Sequence, residues 1–402
     1  MSKSISQTAK EINKYIDRIV KYIKNNPNSE ATKKIVEAVK SIQSTPSSKP
    51  STYETPLKPH TIRYDRPIPL GVSGGTTTNI ITNGMMSTCC GGTLGCLVTK
   101  QGKYYILSNF HVLANDIIPG NNGKVSEVGD IIVQPGPLDY RCEAPLNNAV
   151  GKLSEWEPIS TKQQNYIDAA IGEVINDTVR VDGYIEGLGI IKDSPVEPYI
   201  GMKVVKSGRT TGVTYGIIEG IDTNVIVTYD KECGSNQTYE AVFVNQILIT
   251  PDTTRNTIFS ASGDSGSLIL REDDLSPVGL LFAGSGNYTQ ANRINMVLQR
   301  FGVSIVGLHQ YVQPLQSQQP QTLCIDSNND EYRKARDVMN TYLINIMSNF
   351  PYFRSAYVGK YNGKYKIIVM IDRGHIYELT HFPRNICGVD IDFIEVDKFR
   401  PL

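Results

Sequence analysis

Between residues 68 and 312 the chain is a succession of short β-branched and aromatic runs, KYYILSNF, DIIVQPG, NVIVTYD and VGLLFAGSG among them, punctuated by Gly, Asn, Asp and Pro. Runs this short and this closely spaced, with few helical patterns between them, predict antiparallel barrels or sandwiches. Apolar content of 40% and charged content of 20% over 402 residues are enough to bury a core of ordinary size. The long middle section is therefore read as mainly β.

The flanks carry a different pattern. Ile12, Tyr15, Ile16, Ile19, Val20 and Ile23 recur at three- and four-residue intervals, and Ile35, Val36, Val39 and Ile42 repeat the pattern after an Asn- and Pro-containing break. One apolar stripe on each of two helices results, so residues 1–43 predict a helical hairpin, suited to self-association or to docking a partner. A Ser-, Thr- and Pro-rich linker follows to residue 59. Beyond the Gln-rich stretch at 313–321, a helical pattern through Tyr332, Ala335, Val338, Met339, Tyr342, Leu343 and Ile346 leads into alternating runs that predict strands, the first two joined by a turn at Asn362-Gly363. Three domains are expected: 1–60 as hairpin plus linker, 61–320 as the β-rich unit, and 321–402 as a small α+β module.

Charge and cysteine usage exclude several function classes. Lys plus Arg and Asp plus Glu number 40 each, so nothing draws the chain to nucleic acid or to a membrane surface. No apolar run approaches the roughly 20 residues that span a bilayer. The N-terminal segment lacks the apolar core of a signal peptide, so the chain is expected to be soluble and not exported. The seven cysteines, Cys89, Cys90, Cys96, Cys142, Cys233, Cys324 and Cys387, form an odd, scattered set. They read as small buried apolar residues in a reducing, cytoplasmic compartment. No Cys-x-x-Cys pair has a matching second pair, so no metal is expected, and no other cofactor is indicated.

The chemistry concentrates in three segments. In SASGDSGSLIL, residues 260–270, Gly263 and Gly266 flank Asp264-Ser265. The backbone can turn sharply there, present the Ser265 hydroxyl, and aim the amides of Gly263 and Ser265 into one pocket as an oxyanion hole. YYILSNFHVLA, residues 104–114, sets His111 just after a strand; of five histidines it alone follows such a strand upstream of the serine. NYIDAAIGEV, residues 165–174, puts Asp168 at the head of a small, apolar strand, where a buried charge needs a partner. Asp130 and Asp139 lie in Gly- and Pro-rich surroundings and read as loop residues. Nucleophile Ser265, base His111 and orienting Asp168 are the reading that results.

The order His, Asp, Ser, with SNFHVL, IDAAI and GDSGS, resembles the chymotrypsin-like serine proteases of the PA clan. GTLGCLV at 92–98, VVKSGRTTGVTYGII at 204–218 and VGLLFAGSGNYTQANRI at 278–294 are similar to framework strings of the disulfide-poor, bacterial trypsin-like members. The resemblance covers roughly residues 65–312 and implies two antiparallel six-stranded β-barrels with the site between them. It implies a serine endopeptidase acting on a protein or peptide substrate without a cofactor. It also places the specificity pocket at Phe259 and Ser260, with Phe282, Ala283 and Gly284 as its wall, which argues against a basic guest and for a small or apolar one. Asp264 pairs with a newly cut N-terminus in digestive relatives; the segment from Ile68 to Gly75 is read instead as a structural strand, and KSGRTTG as a turn entering a strand. The alternative function is a catalytically silent scaffold of the same type that binds peptides or protein partners.

Overall fold

The computed structural model describes residues 59–77, 80–83, 86–114, 126–231, 233, 237–309, 330–347, 350–379 and 382–402. The helical pattern expected over residues 1–43, nearly all of the linker and the Gln-rich stretch lie outside the described residues. What is described is mainly β.

The first sheet is formed by β1 (Val72–Thr76), β2 (Gly92–Leu94), β3 (Cys96–Lys100), β4 (Lys103–Ser108), β5 (Ile131–Val133), β6 (Ala149–Trp156) and β7 (Ala170–Val174), with Ser304–Ile305 as an eighth strand on β3. Pairing runs antiparallel from β2 to β1, β5, β6, β7, β4 and β3. The two ends of that path, β2 and β3, are separated in the chain by Gly95 alone, so the sheet curls back toward itself. Alternate side chains enter different cores, as the two-residue period requires. Leu97 and Ile106 join Ile132, Val150 and Leu153. Cys96, Val98, Tyr105 and Leu107 turn the other way and pack on Val205, Leu268, Leu270 and Leu280 of the second sheet. Each such fully buried aliphatic side chain contributes about 1.5–3 kcal/mol.

The second sheet contains β8 (Lys203–Gly208), β9 (Gly212–Asp230), β10 (Thr238–Pro251), β11 (Leu268–Arg271), β12 (Pro277–Ser285) and β13 (Tyr288–Arg293). Their antiparallel pairings run β8, β9, β10, β13, β12, β11 and back to β8. β9 has 19 residues. Register shifts around Gly220 and Thr223 bend it, so its first part serves β8 while Ile221, Asn224 and Val225 pair with β14 (Phe353–Tyr361). β15 (Lys364–Asp372), β16 (Asn385–Ile386) and β17 (Val389–Val396) extend the sheet beyond β14. β18 (Arg400–Pro401) pairs with β12.

Sheets of eight and eleven strands thus stand where two of six were expected, because in the first the chain breaks at Gly95 into β2 and β3 and Ser304–Ile305 adds a further strand, and in the second the C-terminal strands are added. The strands of the segment read as a small α+β module continue the second sheet. Its turn at Asn362-Gly363, both with positive φ, joins β14 to β15. Its helix, starting at Asp330, buries Tyr332, Ala335, Val338, Met339, Leu343 and Met347 against the second sheet's core.

The cysteines also depart from expectation. Cys89 is bonded to Cys142 and Cys90 to Cys233, so four residues read as small apolar fillers are paired. Disulfides belong to oxidising compartments, and the expectation of a reducing, cytoplasmic one loses its premise. Cys96 is free and buried, its thiol pushed up by burial, and Cys387 is free and exposed.

Candidate active site

The register between β4 and β7 builds the first half of the site. Ser108 stands opposite Ala170, so the residues just beyond, Asn109 and Asp168, meet: Asn109 Nδ2 donates to the Asp168 carbonyl at 2.7 Å. A short helix, α1 (Phe110–Leu113), begins there. Its first amides have no partner inside the helix; those of Phe110 and His111 donate to Asp168 Oδ1 at 2.8 and 3.4 Å. His111 Nδ1 lies 2.6 Å from Asp168 Oδ2. A carboxylate only accepts, so Nδ1 carries a hydrogen, and in the neutral imidazole Nε2 is then the nitrogen with the lone pair. Among the described residues Nε2 has no hydrogen-bond partner although it is buried.

Asp168 is 0% exposed and is also held from the second sheet. The Tyr229 hydroxyl donates to Oδ2 at 2.8 Å, and its ring meets the His111 ring edge-on at 5.9 Å between centroids. Burial, and then the negative charge of Asp168, push the Tyr229 phenol well above its ordinary range. The Asp168 amide donates to Asn292 Oδ1 at 3.1 Å, and Asn292 donates in turn to Gln246.

The loop that carries Ser265 rests on another buried carboxylate. Asp264 accepts from the amides of Ala261, Thr210 and Thr211 at 3.0, 2.8 and 3.1 Å, and from the Thr211 hydroxyl at 2.7 Å. Its cation is Lys206, Nζ to Oδ2 3.3 Å, with both side chains 0% exposed. Burial pulls the Lys206 ammonium below its ordinary range, with Asp264 opposing that shift. KSGRTTG is thus the strand end and turn that cradle Asp264. Arg209 in the same turn forks onto Asp139 of the first half, Nε to Oδ2 and Nη2 to Oδ1 at 2.6 Å each. Ile68 lies elsewhere, bridged to Val179.

Two glycines let this loop approach the first sheet. A Cβ on Gly95 would stand 2.1 Å from the Gly266 carbonyl oxygen, and one on Gly266, φ +92, would stand 2.1 Å from Ser108 Oγ. The Ser265 carbonyl accepts from Thr93 N at 2.8 Å. The Ser265 hydroxyl donates to the Phe282 carbonyl at 3.0 Å and accepts from the Leu402 amide at 2.9 Å. No hydrogen bond joins Ser265 Oγ to His111 Nε2 in this conformation.

Of the two amides expected to hold an oxyanion, that of Ser265 donates to the Leu402 main-chain oxygen at 3.2 Å. Gly263, φ +98, lines a pocket of 280 Å³ together with His111, Tyr229, Cys233, Arg400 and Leu402. Of the expected pocket wall, Ala283 and Gly284 pair with Pro401 and Arg400. Phe282 contributes its carbonyl, while its ring packs on Phe243 at 4.8 Å. Phe259 is 1% exposed, within the core cluster against which Leu402 packs. Ser260 is engaged with the Thr289 hydroxyl at 2.6 Å. Sequence reasoning missed Lys206, Tyr229 and the Cys90–Cys233 bond, although Lys206 lies in KSGRTTG and Tyr229 in NVIVTYD, both segments that had drawn notice.

Among the described residues, no group of three or more His, Cys, Asp or Glu could hold a metal ion, and no helix is long and apolar enough to cross a membrane. A family model described as the Nal1 C-terminal domain matches residues 168–316, a stretch that takes in Asp168 and Ser265 and leaves out His111. No curated protein matches the chain. Among solved structures, the chain is similar to a glutamic-acid-specific serine protease described as using a histidine triad in substrate binding, at 17% identity over 59% of this chain and 100% of that one, TM-score 0.38. Protease A of Thermobifida fusca matches at 18% identity over 59% and 98%, TM-score 0.37. A chymotrypsin of Cellulomonas bogoriensis matches at 16% identity over 60% and 99%, TM-score 0.36. At these identities and scores the likeness assigns neither fold nor activity.

Proposed function

We propose that the chain is a serine endopeptidase on a two-barrel frame, with Ser265 as nucleophile, His111 as general base and Asp168 as its orienting partner, and that its flanking segments regulate it. The observation that carries this reading is the His111 imidazole: Nδ1 is tied to a fully buried carboxylate, and Nε2 is unpaired at a pocket that Gly263 and Leu402 also line, Leu402 being the residue whose main-chain oxygen accepts from the Ser265 amide. Rotation of the Ser265 side chain away from the Phe282 carbonyl would bring Oγ toward Nε2. The hydroxyl then loses its proton to Nε2 as Oγ bonds the acyl carbon. The carbonyl oxygen becomes an oxyanion held by the amides of Ser265 and Gly263. The carbon–nitrogen bond breaks, the amine leaves with the proton from Nε2, and water hydrolyses the ester by the same route in reverse.

A fluorophosphonate probe tests this on the chain of residues 1–402 and on a chain ending at Phe399. Label on Ser265, abolished in Ser265→Ala, is the expected result. A folded sample of both chains that takes no label would sink the proposal.

The competing reading, a silent peptide-binding scaffold, draws on the Ser265 hydroxyl being engaged with Phe282 and not with His111. Peptide retained by both wild type and Ser265→Ala, and cut by neither, would favour it.

A further inference from the structure

The strand β18 enters the cleft as a peptide would. Pro401 stands opposite Ala283 and Arg400 opposite Gly284, antiparallel to β12. The Leu402 amide donates both to the Phe282 carbonyl, at 3.3 Å, and to Ser265 Oγ, at 2.9 Å. The Leu402 oxygen accepts from the Ser265 amide at 3.2 Å, so an acyl group of this very chain lies where the oxyanion donor points. The Leu402 side chain covers Gly284, where any Cβ would come within 2.6 Å of its Cδ1. Pro401 has no N–H to offer, and the bonds to Ser265 and Phe282 are made by Leu402 instead. Upstream, the segment is anchored: Phe399 is 0% exposed and its carbonyl accepts from Thr228 N at 2.9 Å, while the Asp397 carbonyl accepts from Ser285 Oγ at 2.7 Å.

We infer that Arg400-Pro401-Leu402 is the site's own ligand in cis: it fills the acyl side of the cleft, excludes other peptides, and by its Leu402 marks the substrate class as peptides with a leucine-sized aliphatic residue on the acyl side of the cut bond. The inference rests on the proposed function for the word substrate; the occupancy itself needs only peptide binding. Geometry supports both halves. An extended peptide added to a sheet edge gains affinity from main-chain bonds and specificity from side-chain pockets, and both kinds of contact are present. Because β18 is tethered through the buried Phe399, its local concentration is on the order of millimolar, so three residues that bind weakly when free can keep the cleft closed.

The test compares three chains: residues 1–402, the same chain ending at Phe399, and Leu402→Asp, which keeps the strand but puts a charge in the apolar seat and covers the case in which truncation disturbs folding. A fluorescein-labelled Phe-Arg-Pro-Leu peptide is titrated against each in a Ser265→Ala background, and fluorophosphonate labelling rates are measured with Ser265 present. Removing or charging Leu402 should tighten peptide binding and speed labelling by roughly tenfold or more. Equal peptide affinity across the three chains overturns the inference, whether or not Ser265 takes label. Tighter peptide binding without label on any of them upholds the cis ligand and removes the catalytic reading instead.

Discussion

Two carboxylates, Asp168 and Asp264, are each 0% exposed and each surrounded by donors, yet their partners differ. Asp168 faces an imidazole, a phenol and backbone amides, none of which need carry a full charge. Asp264 faces the ammonium of Lys206. The first carboxylate holds an imidazole in one orientation, with the other ring nitrogen unpaired among the described residues. The second is tied to a buried ammonium, which burial pulls below its ordinary range and Asp264 holds up, and the pair fastens the loop. Under the proposed function, burial of a charge would serve proton transfer in one place and rigidity in the other, and the partner decides which. Between the two regions the Ser265 hydroxyl is bonded to the Phe282 carbonyl and the Leu402 amide.

The comparison breaks first at Asp168. In Asp168→Asn, the amide oxygen would keep the amides of Phe110 and His111, and the NH2 would face His111 Nδ1. Nδ1 would then have to accept, the hydrogen would move to Nε2, and the base would present a proton where it must take one. Peptide hydrolysis should fall by about 10⁴, measured as kcat/KM against wild type in the chain ending at Phe399. A loss below tenfold would mean that the orientation of His111 is set elsewhere.

Lys206→Met sharpens the other side. It leaves Asp264 buried without its cation, at a cost of about 3–5 kcal/mol, read as a lower midpoint in urea unfolding. Asp168→Asn, which removes a charge and keeps most of the bonds, should cost much less stability. If the two variants unfold at the same urea concentration, the division between a tuning carboxylate and a fastening one fails.

The reach of the sequence follows the same division. Asp168 and His111 sit at the ends of two strands whose patterns, NYIDAAIGEV and YYILSNFHVLA, are visible in the chain, and the pairing of those strands brings the two residues within hydrogen-bond distance. The Gly-framed loop at Ser265 is visible for a similar reason: glycines mark where a backbone must turn. Lys206 was hidden because a buried ammonium looks like any lysine until its partner is known, and Asp264 is remote from it in the chain. Tyr229 was hidden because NVIVTYD is an ordinary strand in which any aromatic fits. Phe259 was assigned to the pocket by position alone; its ring is buried in the core. The disulfides and β18 depend on which distant segments meet, and neither an odd cysteine count nor the string KFRPL records that.

The smallest effect separates the phenol from the imidazole at Asp168. Tyr229→Phe removes one hydrogen bond to a buried charge and should cost about 1.5–3 kcal/mol near pH 8, with the His111–Asp168 pair intact. Burial and the Asp168 charge raise the phenol's pKa in the folded chain above its ordinary value of 10. The stability this contributes is complete below pH 10 and is lost as pH rises beyond it, because the unfolded chain gives up that proton and the folded chain does not. Relative to Tyr229→Phe, wild type should therefore lose roughly 1.4 kcal/mol per pH unit above 10. Urea unfolding of the pair at pH 8 and pH 11 reads this as a narrowing gap. A gap that stays constant would mean that the Tyr229 proton is no better held in the folded chain than in the unfolded one, and Asp168 would then rest on its backbone donors and His111 alone.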